Sequence, residues 1–194
     1  LCSNYFMGRG YVNDGHLKTA NFLEEKFKEI NLKPLGNRNF FQYFNIDVNT
    51  FPYPVEVKLD NKTLIPGVDF VIAPESRGTK ATYNVLNANL NNWRSFLNSK
   101  KDFRETIVSL DVSGILDRDT ISMYNELRNI LNKIFPVLWI SDEKLEWSIA
   151  EKSSNLPLIK IASKSVNFDF STVHLDIENK FQKSLKTQNV LGLS

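Results

Sequence analysis

Residues 106–140, TIVSLDVSGILDRDTISMYNELRNILNKIFPVLWI, hold the most regular pattern of the chain and decide its fold class. Residues 106–112 are rich in β-branched and aliphatic side chains, which predicts a buried or half-buried strand. Residues 121–134 carry apolar side chains at every third or fourth position, which predicts a helix that Pro136 ends. Residues 136–140 follow as the next strand. A strand, a helix and a strand in this order favour a sheet with helices on its flank.

The N-terminal part of the chain changes from a helical pattern to a pattern of strands. Apolar side chains recur at helical spacing over residues 14–30, with Asn13 or Asp14 as a suitable N-cap. Pro34 and Gly36 end this amphipathic helix. Short runs of aromatic and β-branched residues, separated by prolines and glycines, then predict strands. They span residues 40–48, 55–59, 63–65, 68–73 and 81–86, and a short helix follows at residues 90–97.

The C-terminal part adds one helix and two strands to the prediction. Ser141 is followed by two acidic residues, a combination typical of a helix start, with Leu145 and Ile149 facing inward. The last two predicted strands span residues 157–162 and 172–177. Periodicity assigns no element to residues 183–194. The predicted fold class is therefore α/β, here a mixed α+β arrangement. It consists of an N-terminal amphipathic helix and a β-sandwich or mixed sheet with flanking helices.

The composition bounds the class of protein. The 194 residues suffice for one domain, or for one domain with an appended element. Hydrophobic residues make up 42% and charged residues 24%, which is typical of globular proteins and excludes disordered, collagen-like and coiled-coil chains. No stretch approaches the roughly 18 apolar residues of a membrane-spanning helix. The net charge of +2 does not favour a polyanionic partner. We therefore expect neither a nucleic-acid partner nor a membrane partner.

The chain is poor in nucleophile-activating and metal-binding side chains. His16 opens the first helix and His174 lies on a strand, and neither has a second ligand at the spacing that joins two ligands on one helix face. Cys2 cannot form an internal disulfide, and no partner activates its thiol. The sequence does not decide whether a Ser-His-Asp triad is present, because the members of a triad meet only in the fold. It contains no Gly-x-Ser-x-Gly motif. We assign no catalytic, cofactor-binding or metal-ligating residue.

Three further groups of residues have a functional and a structural interpretation, and the structural one is favoured for each. Gly8 and Gly10 around Arg9 lack the third glycine of a dinucleotide fingerprint and suit turns before the helix. Carboxylates near the end of the strand at residues 106–112 could bind a metal or transfer protons, but two of them suit helix caps. Tryptophans could stack on sugars or bases, but their positions are typical of a core. The carboxylates are those of Asp111, Asp117 and Asp119, of which Asp117 and Asp119 suit helix caps. The tryptophans are Trp93, Trp139 and Trp147.

Both ends of the chain carry a family resemblance. Residues 6–10 read FMGRG, residues 15–23 read GHLKTANFL, residues 30–36 read INLKPLG and residues 40–44 read FFQYF. This series resembles the start of the secreted zinc-dependent aminopeptidases related to glutamate carboxypeptidase, in which a GRG turn precedes a helix and a GLKP turn. Asn31 stands where that family usually has glycine. Residues 187–192, TQNVLG, are similar to the T-x-N-V-I-G strand of its catalytic domain.

The middle of the chain resembles the protease-associated domain that such enzymes often carry as an insertion. Residues 66–72, PGVDFVI, look like its l-x-x-g-x-D-f segment, and residues 106–111, TIVSLD, look like its gKIVlv strand. The family's lysine and glycine before that strand are Arg104 and Glu105 here. The resemblance implies three parts: a helical segment at residues 1–38, a protease-associated-like domain at 39–182, and the start of a catalytic domain at 183–194.

The resemblance also implies where catalysis would take place. The two zinc ions of the family are held by His, Asp, Glu, Asp and His residues that follow the N-V-I-G strand, beginning with a His-x-Asp motif. This sequence has none of them, so the resemblance implies the non-catalytic portion of a metallopeptidase that removes residues from peptide N-termini. Zinc is then a cofactor of the missing domain alone. The portion shapes access of the peptide, and the parent hydrolase is expected to be secreted or periplasmic.

The resemblance also implies the partners of the chain, and two other interpretations compete with it. The expected partners are the catalytic domain of the full-length chain and, indirectly, the peptide substrate. The helix at residues 14–30 has an apolar face that the missing domain would cover, which predicts self-association of the isolated segment. One alternative is a freestanding module that binds a peptide or sugar through its tryptophans and loops. The other is a complete small hydrolase with an unrecognised triad.

Overall fold

A computed structural model of the chain describes residues 1–35, 39–98, 103–154 and 156–194. Within these ranges there are three α-helices, twelve strands and two short 3₁₀ segments. The helices are α1 (Gly15–Glu29), α2 (Trp93–Leu97) and α3 (Arg118–Leu131), and the 3₁₀ segments are Asn4–Arg9 and Ser163–Ser165. The strands are β1 (Lys33–Pro34), β2 (Phe41–Thr50), β3 (Glu56–Leu59), β4 (Lys62–Thr63), β5 (Phe70–Ile72), β6 (Thr79–Asn87), β7 (Thr106–Asp111), β8 (Val137–Ser141), β9 (Leu158–Ala162), β10 (Thr172–Ile177), β11 (Lys180–Val190) and β12 (Gly192–Leu193).

Eight strands form one mixed sheet in the order β4-β3-β10-β6-β7-β8-β9-β5. The four strands β6, β7, β8 and β9 run parallel to one another. Antiparallel strands flank them on both sides, with β10 beside β6 and β5 beside β9. This mixed sheet with flanking helices confirms the predicted α+β class, and the strands and helix predicted from residues 106–140 lie near its centre.

The sheet buries apolar side chains on both faces. Along β7, Val108 and Leu110 pack in one cluster with residues of α2 and α3, while Ile107 belongs to a second cluster on the opposite face. The second cluster joins residues of β3, β5, β8, β9 and β10. Alternate residues of a strand point to opposite faces, so a strand that is apolar at nearly every position must be covered twice.

The two long helices begin by different means. The Asp117 carboxylate accepts a hydrogen bond from the backbone N–H of Thr120 at 2.8 Å, which confirms Asp117 as the N-cap of α3. Asp14 occupies the N-cap position of α1, but it has a left-handed backbone conformation and its side chain makes no capping bond. The next residue, Gly15, is packed closely against the preceding 3₁₀ segment, because a Cβ at this position would lie 2.7 Å from the carbonyl oxygen of Phe6. The predicted helix end at Gly36 lies outside the described residues.

The helix predicted to begin at Ser141 is wrong. Ser141 is the buried last residue of β8, and residues 142–154 contain no helix. The Asp142 carboxylate instead accepts the backbone N–H of Gly114 at 2.7 Å and the hydroxyl of Ser163. The acidic residue that would suit a first helical turn is therefore used to join two loops. Ile149, expected to face inward, is 44% exposed.

The C-terminal segment, to which periodicity assigns no element, is a strand. β11 pairs with β2 in an antiparallel ribbon outside the eight-stranded sheet, and β12 pairs with β1. Most side chains of β11 are polar, so it lacks the alternation by which a strand is recognised. A break in register between Gln182 and Leu185 interrupts it further. The segment 187–192 that resembles a family strand lies in β11 and β12.

The helix α1 packs against this ribbon. The rings of Phe27 and Phe40 meet edge to face with centroids 5.7 Å apart. A Cβ at Gly192 would lie 2.9 Å from the Phe27 ring, so the strand end and the helix approach closely. The predicted boundaries at residues 38 and 182 stay predictions. No helix within the described part of the chain is both long and apolar enough to cross a membrane.

Candidate functional site

A large polar cavity lies at the carboxyl ends of β6 and β7. Its volume is about 820 Å³ and it is open to solvent. The strand ends, α3, β8 and the loop between β9 and β10 contribute its walls. They are lined by Asn87, Ala88, Asn89, Ser109, Asp111, Tyr124, Ile140, Val166, Asn167, Phe168, Asp169 and Phe170.

The topology of the sheet explains the position of this cavity. Asn87 and Asp111 are the last residues of two adjacent parallel strands, β6 and β7, and therefore lie at the same edge of the sheet. In open sheets of this kind, ligands bind outside the carboxyl ends of the parallel strands. The loop at residues 166–170 then closes the cavity from the side. Polar side chains from distant parts of the sequence meet here because each ends a strand or follows one.

Two polar side chains in the cavity form no hydrogen bond or ion pair with the described residues. Ser109 is 3% exposed, yet its hydroxyl makes no hydrogen bond to any described residue. The carboxylate of Asp169 likewise forms no hydrogen bond or ion pair within the described ranges. Asp111 is partly engaged, since one carboxylate oxygen accepts the backbone N–H of Ser113 at 2.9 Å and the Ser113 hydroxyl at 2.7 Å. The cavity thus contains hydrogen-bonding capacity that the fold itself does not use.

The cavity has an acidic character. Asp111 and Asp169 contribute two carboxylates, and none of the described lining residues is lysine, arginine or histidine. Lys62 lies behind one wall, with its ammonium 4.7 Å from the centroid of the Phe168 ring. That ammonium donates to the backbone carbonyl of Ser165 at 2.9 Å. The nearby lysine is therefore held by another group and does not belong to the lining.

A second, smaller cavity is mainly apolar. It has a volume of about 360 Å³ and lies beside β5, the last strand of the sheet. Trp147 is 52% exposed on its rim, and its ring lies 3.4 Å from the position that a Cβ on Gly10 would take. The other lining residues are Phe51, Tyr53, Val55, Pro66, Gly67, Phe70, Val71 and Ile72.

The three tryptophans do not share a surface. Trp139 is buried on β8, and the guanidinium of Arg128 lies 4.8 Å from its ring centroid. Trp93 packs against the cluster beneath α2 and α3. Trp147 instead lines the apolar cavity beside β5. The core interpretation is therefore correct for Trp139 and Trp93, and Trp147 departs from it.

The two histidines occupy different elements and different environments. Burial lowers the pKa of His16 below its usual value, although the backbone of Gly10 and the charge of Asp14 act in the opposite direction. The Nδ1 atom of His16 is buried and has no hydrogen-bond partner. His174 lies on β10, and its Nδ1 is 3.0 Å from the hydroxyl oxygen of Thr82. Neither histidine lines the polar cavity.

The acidic residues near β7 separate into two roles. Asp111 lines the cavity, whereas Asp117 caps α3. Hydrogen bonds from the hydroxyl and backbone of Thr120 lower the pKa of Asp117. Within residues 1–35, 39–98, 103–154 and 156–194, no three His, Cys, Asp or Glu side chains converge as a metal site requires. Cys2 is exposed, and Gly8 takes a left-handed turn conformation before α1.

The β2–β11 ribbon offers a different kind of surface. Phe41 lies opposite Val190 and Tyr43 lies opposite Gln188, so these four side chains share one face. Phe40, which contacts α1, belongs to the other face by its parity. Tyr43 is 51% exposed, with the ammonium of Lys186 4.4 Å from its ring centroid and the Phe41 ring centroid 5.9 Å away. Among the described strands, none pairs with the outer edge of β2 or β11.

Comparison with known proteins gives structural but not sequence matches. No protein-family model and no curated protein sequence matches the chain. An aminopeptidase from Aneurinibacillus sp. strain AM-1 aligns over 92% of this chain with a TM-score of 0.50 and 12% identity, covering 42% of its own chain. A zinc aminopeptidase from Bacillus subtilis aligns over 92% with a TM-score of 0.56 and 16% identity, covering 40% of its own chain.

A peptidase M28 precursor from Shewanella amazonensis SB2B aligns over 93% of this chain with a TM-score of 0.54 and 8% identity, covering 45% of its own chain. The chain thus spans about two fifths of the length of these structures. At such low identities the likeness concerns the fold. The chain shares a fold with part of these peptidases, which relates it in structure to the aminopeptidases.

Proposed function

We propose that the chain is the non-catalytic N-terminal and protease-associated-like portion of a zinc metallo-aminopeptidase. Its role in this proposal is to shape the access of peptides to a dinuclear zinc site in a further domain. The observation that carries the proposal is the ribbon of β2 and β11 with α1 on one face, which stands outside the eight-stranded sheet and has an uncovered opposite face. The structural likeness to part of longer aminopeptidases supports it.

The ribbon has the properties of an incomplete sheet. A pair of strands in isolation is marginally stable in water, and unpaired strand edges invite further pairing. β2 and β11 contain 10 and 11 residues, long for a ribbon with two free edges among the described strands. The exposed ring of Tyr43 adds apolar surface on the face away from α1. A larger sheet that continues from the ribbon would satisfy the edges, and a layer packed on that sheet would cover this face.

Side-chain hydrogen bonds join the eight-stranded sheet to this ribbon, which suits a part that restricts access to a cleft. The side-chain amide of Asn49 donates hydrogen bonds to backbone carbonyls of the loop that follows β5, and the side chain of Asn179 donates a hydrogen bond to Asn49. These hydrogen bonds link the two segments in which the chain passes between the ribbon and the sheet. Bound in the further domain, two zinc ions would polarise the scissile carbonyl and supply a hydroxide nucleophile. The residues of this chain would act by positioning and exclusion, in a secreted or periplasmic enzyme.

The coding sequence downstream of Ser194 provides the first test. We expect a continuous reading frame that contains a His-x-Asp motif followed by further Asp, Glu and His residues. We also expect the longer polypeptide to cleave aminoacyl anilides in a chelator-sensitive manner. A stop codon directly after Ser194 contradicts the proposal. Turnover by the 194-residue chain that survives a chelator would instead support a small hydrolase.

The register of the ribbon allows a sharper test in the longer polypeptide. Thr50 lies directly opposite Lys180, so residues 51–179 can be replaced by an Asn-Gly turn that closes β2 and β11 as a hairpin. We expect this variant to retain zinc-dependent cleavage of aminoacyl anilides and to lose the parent's discrimination between short and long peptides. Unchanged discrimination would contradict a role in substrate access.

A freestanding binding module is the second candidate function. The apolar cavity with the exposed rings of Tyr53 and Trp147 favours it, since aromatic side chains bind peptides and sugars by stacking. This module would need no catalytic domain. A reading frame that ends at Ser194, together with loss of ligand binding in Trp147→Ala, would support it over the peptidase proposal.

A further inference from the structure

We propose that the polar cavity at the ends of β6 and β7 binds the basic side chain of a peptide, lysine or arginine. The identification of that peptide as a substrate rests on the proposed function, whereas the binding itself does not. The proposal is carried by the shape of the cavity, its charge and the unused hydrogen-bonding groups inside it.

The charge of the cavity selects for a cation. Asp111 and Asp169 supply two carboxylates, and the described lining includes no cationic side chain to neutralise them. Asp169 has no hydrogen bond or ion pair with any described residue. Asp111 keeps acceptor capacity, because only one of its oxygens is used by Ser113. An ammonium or guanidinium group would donate charge-assisted hydrogen bonds to the unused acceptor oxygens of both carboxylates.

The depth of the cavity provides a second, independent indication. Ser109 is 3% exposed and lines the cavity from the strand, yet its hydroxyl bonds to no described residue. The Ser109 hydroxyl oxygen is not itself fully buried, because it faces the cavity, and it is therefore accessible to a water molecule or to a ligand. A donor group that reaches Ser109 Oγ must pass the level of Asp111, the next residue on the same face of β7. A long side chain with a terminal donor meets this requirement.

The aromatic wall suits the aliphatic part of such a side chain. The rings of Phe168 and Phe170 lie with centroids 6.2 Å apart on the loop that closes the cavity. Lysine and arginine bury their methylene groups along apolar surface while the charged end stays solvated or paired. The volume of about 820 Å³ accommodates one such side chain with its backbone.

Binding can be measured directly on the 194-residue chain. The probes are Nα-acetyl-arginine amide and Nα-acetyl-lysine amide, with Nα-acetyl-norleucine amide as the uncharged control, titrated while amide chemical shifts are recorded. We expect shifts at the ends of β6 and β7 with the two basic probes and none with norleucine. Asp169→Asn should weaken binding about tenfold, because it removes a charge-assisted contact. Ser109→Ala should weaken it by a smaller factor.

The controls keep the proposal separable from the fold and from the proposed function. Asp169 has no bond within the described chain, so Asp169→Asn should leave the urea midpoint unchanged. Glu151→Gln removes an exposed acidic charge outside the cavity and should leave binding unchanged. Equal binding of norleucine, equal binding by Asp169→Asn, or shifts only with a neutral sugar such as methyl mannoside would each overturn the proposal. None of these measurements requires zinc or a downstream domain, so the peptidase proposal can fail while the cavity assignment stands.

Discussion

The side-chain amide of Asn179 donates a hydrogen bond of 2.6 Å to Oδ1 of Asn49, and so joins the end of β2 to the segment that leads into β11. Asn49 is 2% exposed, and its own Nδ2 donates to the carbonyls of Pro74 and Ser76, both at 2.8 Å. Asn179 Oδ1 accepts the backbone N–H of Gly78 at 2.7 Å. The two places where the chain passes between ribbon and sheet are thereby fixed to the same loop.

Replacing Asn49 should destabilise the protein strongly. In Asn49→Ala the partly buried carbonyl of Pro74 and the buried carbonyl of Ser76 lose their donor, and an unsatisfied buried group costs about 1–3 kcal/mol. We expect the free energy of unfolding to fall by about 2–4 kcal/mol in urea titrations. Asn91→Ala, at an exposed position, should change it by less than about 0.5 kcal/mol. Similar midpoints for the two variants would show that the Asn49 contacts contribute little.

Gly78 should not tolerate a side chain. A Cβ at this position would lie 2.5 Å from the carbonyl oxygen of Ile177 and 2.9 Å from the backbone nitrogen of Asn179. Both obstacles are backbone atoms, so Gly78→Ala should cost about 1–3 kcal/mol of stability. The matched control is Gly10→Ala, whose Cβ would lie at ordinary contact distances, 3.4 Å from the Trp147 ring and 3.9 Å from the carbonyl oxygen of Met7. Thermal unfolding should separate the variants, and equal melting temperatures would contradict the close approach at Gly78.

Stability should fall as the pH drops below the usual pKa of histidine because of His16. Burial lowers the pKa of His16 in the folded state below 6.5, so the unfolded chain binds more protons over the interval between the two values. The contribution of neutral His16 is complete above pH 6.5 and decreases as the pH falls towards the native pKa. Urea midpoints measured from pH 7.5 to pH 5 should show this slope, and His16→Gln should reduce it. His174→Gln serves as the control, and a slope that persists in His16→Gln would assign it to other groups.

The uncovered face of the ribbon should cause self-association of the 194-residue chain. Tyr43 exposes half of its side chain on the face away from α1, beside two free strand edges. We expect concentration-dependent dimers in sedimentation velocity and a shift towards monomer in Tyr43→Ser. Leu116→Ser is the control, because Leu116 is 94% exposed in the loop before α3. A monomer at all concentrations, or an equal shift in both variants, would contradict this interpretation.

Strong local patterns in the sequence predicted most elements. The apolar period of α3 and its Asp117 cap lie within one segment, and the strands on either side are rich in aliphatic side chains. The start predicted at Ser141 failed although the local signals for a cap were present. Asp142 found partners on Gly114 and Ser163, which are distant in sequence, and these contacts outweigh the local preference for a helix.

The candidate site was only partly visible in the sequence. Ser109 and Asp111 lie two residues apart on one face of a strongly predicted strand, but nothing local connects either of them with Asp169. Asp169 lies in a loop without a motif, and Ser109 alternates with apolar residues on a buried strand. The useful signal was a polar residue at an otherwise apolar strand position. Its significance depends on which loop closes over that strand end.

By itself the amino-acid sequence determined the class of the fold, because helix and strand periods, caps and proline stops act between residues that are close in the chain. The pairing of β2 with β11 was decided only by the tertiary structure, since about 130 residues separate their bonded ends and polar strands carry no period of their own. The same holds for the polar cavity. Its members meet because parallel strands place their carboxyl ends at one edge of the sheet, a property of the topology and not of any single segment.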